Sequence, residues 1–244
     1  MKRRNFLKQT GYIAAVAAYP SVLMAETAVA NGPVLDLAEA RRFLERYPPE
    51  SNFLIFLTEY KSITPEALEL FSSKYNSEEH SISLALTEMD RNTAQILANW
   101  NPGFLEFTEL RSLDSDIAAI LSDTKSLIDF RKLYGINPPV ARELARVKGT
   151  LSLNVESISL SVATELIHQE SELFLNSLRP PSKQVLNLLS EHQGYYLSLG
   201  GWDTKPDYDL HRYASPNGDK KILLREAYGR DDITYLRIMD ADLL

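Results

Sequence analysis

Two hydrophobic periods alternate along the middle of this chain. SISLALT, TLSLNVES, SELFLNS and YYLSLGG place an apolar residue at every second position, while FLEFTEL and LIDFRKL read L-x-F-x-x-L and I-x-F-x-x-L. Period two is the mark of a short strand with one buried face. The period then turns helical. SITPEALELF, EMDRNTAQIL, SLDSDIAAIL, GINPPVAREL, SISLSVATEL and SLRPPSKQVL align on Ile63, Met89, Leu113, Ile136, Ile158 and Leu178, at spacings of 26, 24, 23, 22 and 20 residues. Five residues after each anchor stands Leu68, Ala94, Ala118, Ala141, Ala163 or Lys183, and eight after it Phe71, Leu97, Leu121, Leu144, Leu166 or Leu186. Those two positions share one helix face. The residue after the anchor is Thr64, Asp90, Asp114, Asn137, Ser159 or Arg179, and five of these six carry an oxygen able to cap the first turn. Pro65, Pro138 and Pro180 follow at the position where a missing amide costs nothing. The pattern predicts six units, each a strand, a turn and a short helix.

A strand-helix unit of 20 to 29 residues falls in the range of leucine-rich repeats. On these motifs residues 53–202 resemble bacterial leucine-rich repeats. The resemblance implies an α/β solenoid with parallel strands on the concave face, helices on the convex one, and a surface that binds another macromolecule. One family feature is missing: the Asn or Cys that usually caps the strand is replaced by Ile, Leu or Met at the nearest matching anchor.

Both ends depart from the repeat. In residues 31–52, Leu37, Ala40, Phe43, Leu44 and Tyr47 recur at helical spacing before Pro48-Pro49, which predicts an N-terminal cap helix. In residues 203–244, Pro216-Asn217-Gly218-Asp219 separates the Tyr213 region from KKILLREAY, and DITYLRIMD reads as a further strand. A small antiparallel cap is expected there, with Gly200-Gly201-Trp202 turning the last repeat strand away.

Residues 1–30 follow a different logic. Lys2, Arg3, Arg4 and Lys8 precede Gln9 to Ala25, which carry no charge, and small residues follow. That is the order of a secretory signal. Arg3-Arg4-Asn5-Phe6-Leu7-Lys8 resembles the twin-arginine signal of bacteria, with Lys2 in place of the usual Ser or Thr. Arg3, Arg4, Phe6 and Leu7 carry that likeness, and cleavage is expected after Ala30, with Ala25 as the second choice. The apolar run is short for a membrane span and interrupted by Pro20. The resemblance implies export to the periplasm or the extracellular space, with membrane contact only through an uncleaved signal.

Composition narrows the partners. The chain is 44% hydrophobic and 24% charged with a net charge of -7, and residues 31–244 hold 22 Lys and Arg against 32 Asp and Glu, a net -10. Such acidity argues against nucleic acid and leaves another protein or an envelope component. With no cysteine in the sequence, neither a disulfide nor a thiol nucleophile can form.

No catalytic, metal or cofactor site is assigned. His80, His168, His192 and His211 show no ligand spacing, and His168 and His192 are expected at solvated helix ends. Asp114/Asp116 and Asp231/Asp232 read as a helix start and a turn. The binding surface is expected on strand residues between the buried aliphatics: Ser83, Ala85 and Thr87; Glu106, Thr108 and Glu109; Asp129, Arg131 and Lys132; Ser152 and Asn154; Phe174 and Asn176. Two rival readings are an enzyme using Asp203, Asp207, Asp209 or His211, and a structural envelope protein held by its signal.

Overall fold

The computed structural model describes residues 32–49, 54–75, 80–179, 181–194 and 196–202, and the backbone of 221–227 and 234–240. Strands and helices alternate through it. In chain order they are β1 (Val34–Leu35), α1 (Leu37–Arg46), β2 (Leu54–Leu57), β3 (Ser62–Ile63), α2 (Pro65–Lys74), β4 (Ser81–Leu84), α3 (Arg91–Trp100) and β5 (Phe104–Phe107). There follow α4 (Ser115–Leu121), β6 (Leu127–Phe130), α5 (Pro138–Leu144), β7 (Leu151–Leu153), α6 (Leu160–Leu166), β8 (Glu172–Leu175) and α7 (Lys183–Leu189). The last three elements are β9 (Tyr196–Trp202), β10 (Lys221–Ala227) and β11 (Thr234–Asp240).

Seven strands, β2-β4-β5-β6-β7-β8-β9, pair in parallel, each joined to the next through a helix. Their register aligns two apolar rows, one running from Ile55 through Ile82, Leu105 and Ile128 to Leu197, the other from Leu57 through Phe107 and Phe130 to Leu199. Both rows are at most 1% exposed and belong to one core with the helices. Four-residue strands and seven-residue helices are too short to persist alone. Burial of each large aliphatic side chain, worth about 1.5–3 kcal/mol, is what holds them. Within the rows, Phe107 and Phe130 stack with ring centroids 5.2 Å apart.

Each helix meets this core at residues three, four and seven after its cap. Thr64 is followed by buried Ala67, Leu68 and Phe71, Asp114 by Ile117, Ala118 and Leu121, and Ser159 by Val162, Ala163 and Leu166. Thr64, Asp90, Asn137 and Ser159 accept from the third amide of their helices, each bond worth about 1 kcal/mol, whereas Asp114 makes no such bond. The last helix departs from the expected frame. Its cap is Ser182, which accepts from Val185 N at 3.3 Å, and its core residues are Val185, Leu186 and Leu189. Arg179 has no acceptor to offer, and Lys183 is exposed instead of lying in the buried stripe. The cap spacing from Ser159 to Ser182 is thus 23 residues, in line with the earlier units.

The predicted N-terminal helix follows this rule at its fourth and seventh positions, with Glu39 at the third. Asp36 accepts from Glu39 N at 2.8 Å, Ala40 is buried four residues after the cap, and Phe43, seven after it, meets Phe71 edge-on at 5.4 Å. Ahead of the cap, Leu35 pairs with Ile63 in the short β1–β3 ladder. Helix α1 therefore occupies a place in the same helix layer as α2.

At the other end the strands become antiparallel. β11 pairs with β9 and β10 with β11, so the sheet continues in the order β9-β11-β10. Gly200-Gly201-Trp202 remain in β9, pairing with β11 across a register shift, and do not turn away. The Pro216–Asp219 turn lies outside the described residues. No helix among the described residues is long and apolar enough to cross a membrane.

Candidate site on the helix-free face of the sheet

Alternation along each strand sends every second side chain away from the helices. Register then assembles those side chains into rows. The central row reads Phe56, Ser83, Glu106, Asp129, Ser152, Phe174 and Ser198. Toward the strand starts lie Ser81, Phe104 and Leu127, followed by Thr150, Glu172 and Tyr196. Just past the strand ends come Thr108, Arg131, Asn154 and Asn176.

Glu106 and Asp129 sit directly opposite each other on β5 and β6. Arg131 serves both: its Nε donates to Glu106 Oε1 at 2.7 Å and lies 2.9 Å from Asp129 Oδ2. Ser83 Oγ donates to Glu106 Oε2 at 2.5 Å, and Ser152 hydrogen-bonds Asp129. The cluster thus ties β4, β5, β6 and β7 together.

The sequence pattern places these carboxylates in water, and the structure corrects this. Glu106 is 6% and Asp129 8% exposed, and Ser83, Ala85 and Phe174 are also buried. The alternation identifies the face but not the depth, because apolar Phe104, Leu127, Phe174 and Tyr196 share it and crowd the polar groups. These four lie outside the helix-side core. Burial pushes the Asp129 carboxyl up to about 6; Arg131 and Ser152 pull it down and Glu106 adds to the rise. Burial works against the Arg131 charge as well, but Asp129 and Glu106 outweigh it and hold its pKa above the ordinary value.

The remaining expected site residues are accessible. Thr108, Glu109, Arg131, Lys132, Ser152 and Asn154 are half-buried, while Thr87 and Asn176 are exposed. Lys132 Nζ sits 2.9 Å from both Glu109 oxygens, with Lys61 3.9 Å from one of them. Asn154 Nδ2 donates to the Arg131 carbonyl at 2.6 Å, and Asn154 Oδ1 accepts from Ser177 Oγ. Ser198 Oγ donates to Asn176 Oδ1 at 2.7 Å, and Thr108 Oγ1 to the Leu84 carbonyl at 3.3 Å. These bonds fix a line of guanidinium, ammonium and amide groups across successive strand ends.

A second polar system escapes a search for hydrophobic period. At the turns from helix back to strand, Gln169 is fully buried and donates Nε2 to the carbonyls of Val147 and Gly149 at 3.1 and 3.0 Å. Its Oε1 accepts from Ser171 N at 2.5 Å. One unit further on stands His192, which is fully buried, not solvated as its place at a helix end suggested; His168 is exposed. On the open face, Thr150 Oγ1 donates to buried Glu172 Oε2 at 2.7 Å. The signal that could have pointed to these turns is the recurrence of Gly103, Ser126, Gly149, Ser171 and Gly194, small residues at steps of 22 or 23.

Among the described residues no three His, Asp or Glu side chains gather in a way that could hold a metal ion. Arg3, Arg4, Phe6 and Leu7, the expected cleavage positions, and Asp203, Asp207, Asp209 and His211 lie outside the described residues. No protein-family model matches this chain, and no curated protein or solved structure matches it either.

Proposed function

We propose that this is an exported, non-catalytic protein, built as a leucine-rich-repeat-type solenoid, that binds another protein or envelope component through its strand ends. The observation that carries the reading is the line Thr108, Arg131, Asn154 and Asn176, one hydrogen-bonding side chain from each of four successive units, flanked by Glu109 and Lys132. Groups repeated at one unit spacing suit an extended partner, which can meet several units at once, and repeat arrays offer such surfaces. Glu106 and Asp129 support the line from below, holding Arg131, while direct contact falls to the half-exposed residues.

The test is capture of partners from envelope extract by the tagged exported protein. Lys132→Glu combined with Asn176→Arg is expected to abolish capture while leaving the circular dichroism spectrum unchanged. Arg91→Glu with Arg142→Glu, on the helix layer, is expected to leave capture intact. Capture that survives the first pair and is lost with the second would overturn the assignment.

A further inference from the structure

The two carboxylates beneath Arg131 pose a charge problem. Glu106 and Asp129 face each other across one strand spacing, and both lean on a single Nε. The other groups around them are neutral donors, Ser83 from β4 and Ser152 from β7. Among the described residues, Lys132 and Lys61 pair with Glu109. At the strand starts the described groups are Thr150, which donates to Glu172, with Tyr196 alongside. One guanidinium therefore answers two carboxylates in a place that water barely screens, and like charges so held do not both ionise without a penalty.

We propose that Asp129, facing Glu106 across one strand spacing with Arg131 shared between them, takes up a proton and so forms a pH-sensitive latch joining β5 to β6 on the helix-free face. With both carboxylates ionised, Arg131 is shared and the cluster carries one net negative charge. With Asp129 protonated the cluster is neutral, Asp129 keeps its bond to Ser152, and Arg131 belongs to Glu106 alone. The raised Asp129 value, about 6, puts the change within the range of ordinary environments. Resting on the binding role proposed above, the latch would make the reach of Arg131 toward a partner depend on pH. The latch itself does not require that role.

The experiment follows the side-chain carboxyl 13C resonances of the exported protein, labelled at Asp and Glu, from pH 4 to 8. The Asp129 resonance, assigned by its loss in Asp129→Asn, is expected to titrate with a midpoint near 6. In Glu106→Gln, which removes the charge and keeps one acceptor oxygen at that position, the midpoint is expected to fall by at least half a pH unit, because Asp129 is then the one carboxylate facing the Arg131 charge. A wild-type midpoint below 4.5, or one unmoved by Glu106→Gln in a protein of unchanged circular dichroism, would sink the latch. If Glu106→Gln does not fold, the wild-type midpoint alone decides. No partner takes part in this measurement, so its failure leaves the binding reading standing.

Discussion

The side-chain amide of Gln169 donates to the backbone carbonyl of Gly149 at 3.0 Å, joining the helix-to-strand turns of two neighbouring units. The same Nε2 reaches the Val147 carbonyl, and Oε1 takes the Ser171 amide. One neutral side chain thereby satisfies three backbone groups that the irregular turns leave outside any ladder. A related bond recurs earlier, where Asn101 Oδ1 accepts from Lys125 N at 2.6 Å. Side-chain amides, buried at Gln169 and half-buried at Asn101, thus serve the helix-to-strand turns.

Replacing Gln169 by Leu keeps the volume and removes all three bonds. Leaving buried backbone groups without partners costs about 1–3 kcal/mol each, so a loss of roughly 3 kcal/mol is expected in urea unfolding. Gln95→Ala, which breaks only an exposed bond to Asn99, is expected to stay within about 0.5 kcal/mol of the parent. Equal effects of the two changes would remove Gln169 from its structural role.

Gly149 and Gly194 are required by close approach of backbone. A Cβ on Gly149 would stand 2.1 Å from the Ser126 carbonyl oxygen, and one on Gly194 2.0 Å from that of Ser171. Neither of these carbonyls is a flexible side-chain end, so the backbone of the turns themselves would have to move. Gly149→Ala and Gly194→Ala are each expected to cost about 3 kcal/mol, at the upper end of overpacking. Gly135, with nothing within 4 Å of its Cβ position, is the control, and Gly135→Ala should leave the thermal midpoint within a degree or two, about 0.5 kcal/mol.

Much of this architecture is legible in the pattern of apolar positions, and the misreadings share physical causes. The strands and the helices capped by Thr64, Asp90, Asp114, Asn137 and Ser159 follow from period and cap chemistry alone. Pro180-Pro181 imitates the proline that follows the caps at Thr64 and Asn137, which draws the last helix start to Arg179, although the true cap oxygen is on Ser182. Alternation also assigns Glu106 and Asp129 to the correct face, yet says nothing about depth. Depth depends on pairing: Phe104 and Leu127 precede Glu106 and Asp129 by two residues on their own strands, and only the register sets Phe104 beside Leu127 and Glu106 beside Asp129. Gln169 and His192 are polar residues in turns, and a hydrophobic pattern is blind to those.

The reassigned cap makes a direct test. Ser182→Ala removes the bond to Val185 N and is expected to lower stability by about 1 kcal/mol. Arg179→Ala removes an exposed ion pair with Glu156 and is expected to change little, under about 0.5 kcal/mol. Parallel chemical denaturation of the two variants checks the frame, and the reverse ranking would restore Arg179 as the start of the helix.

Stability should also report the Asp129 environment. Its carboxyl is raised from 3.8 to about 6 in the folded chain, mainly by burial. Folding therefore favours the protonated form, and the stabilisation from that proton is complete below pH 3.8 and lost as pH climbs through 6. The loss from this one group amounts to at most about 3 kcal/mol. Other carboxylates superimpose their own trends, so the measurement is the difference between the parent and Asp129→Asn across pH 3.5 to 7.5. Asparagine cannot ionise, and it keeps one acceptor oxygen at that position. The variant is expected to gain on the parent as pH rises from 4 to 6 and to hold a constant difference above 7. A difference that shrinks over the same interval would mean that Arg131 outweighs burial at this position, and that Asp129 stays ionised well into acid.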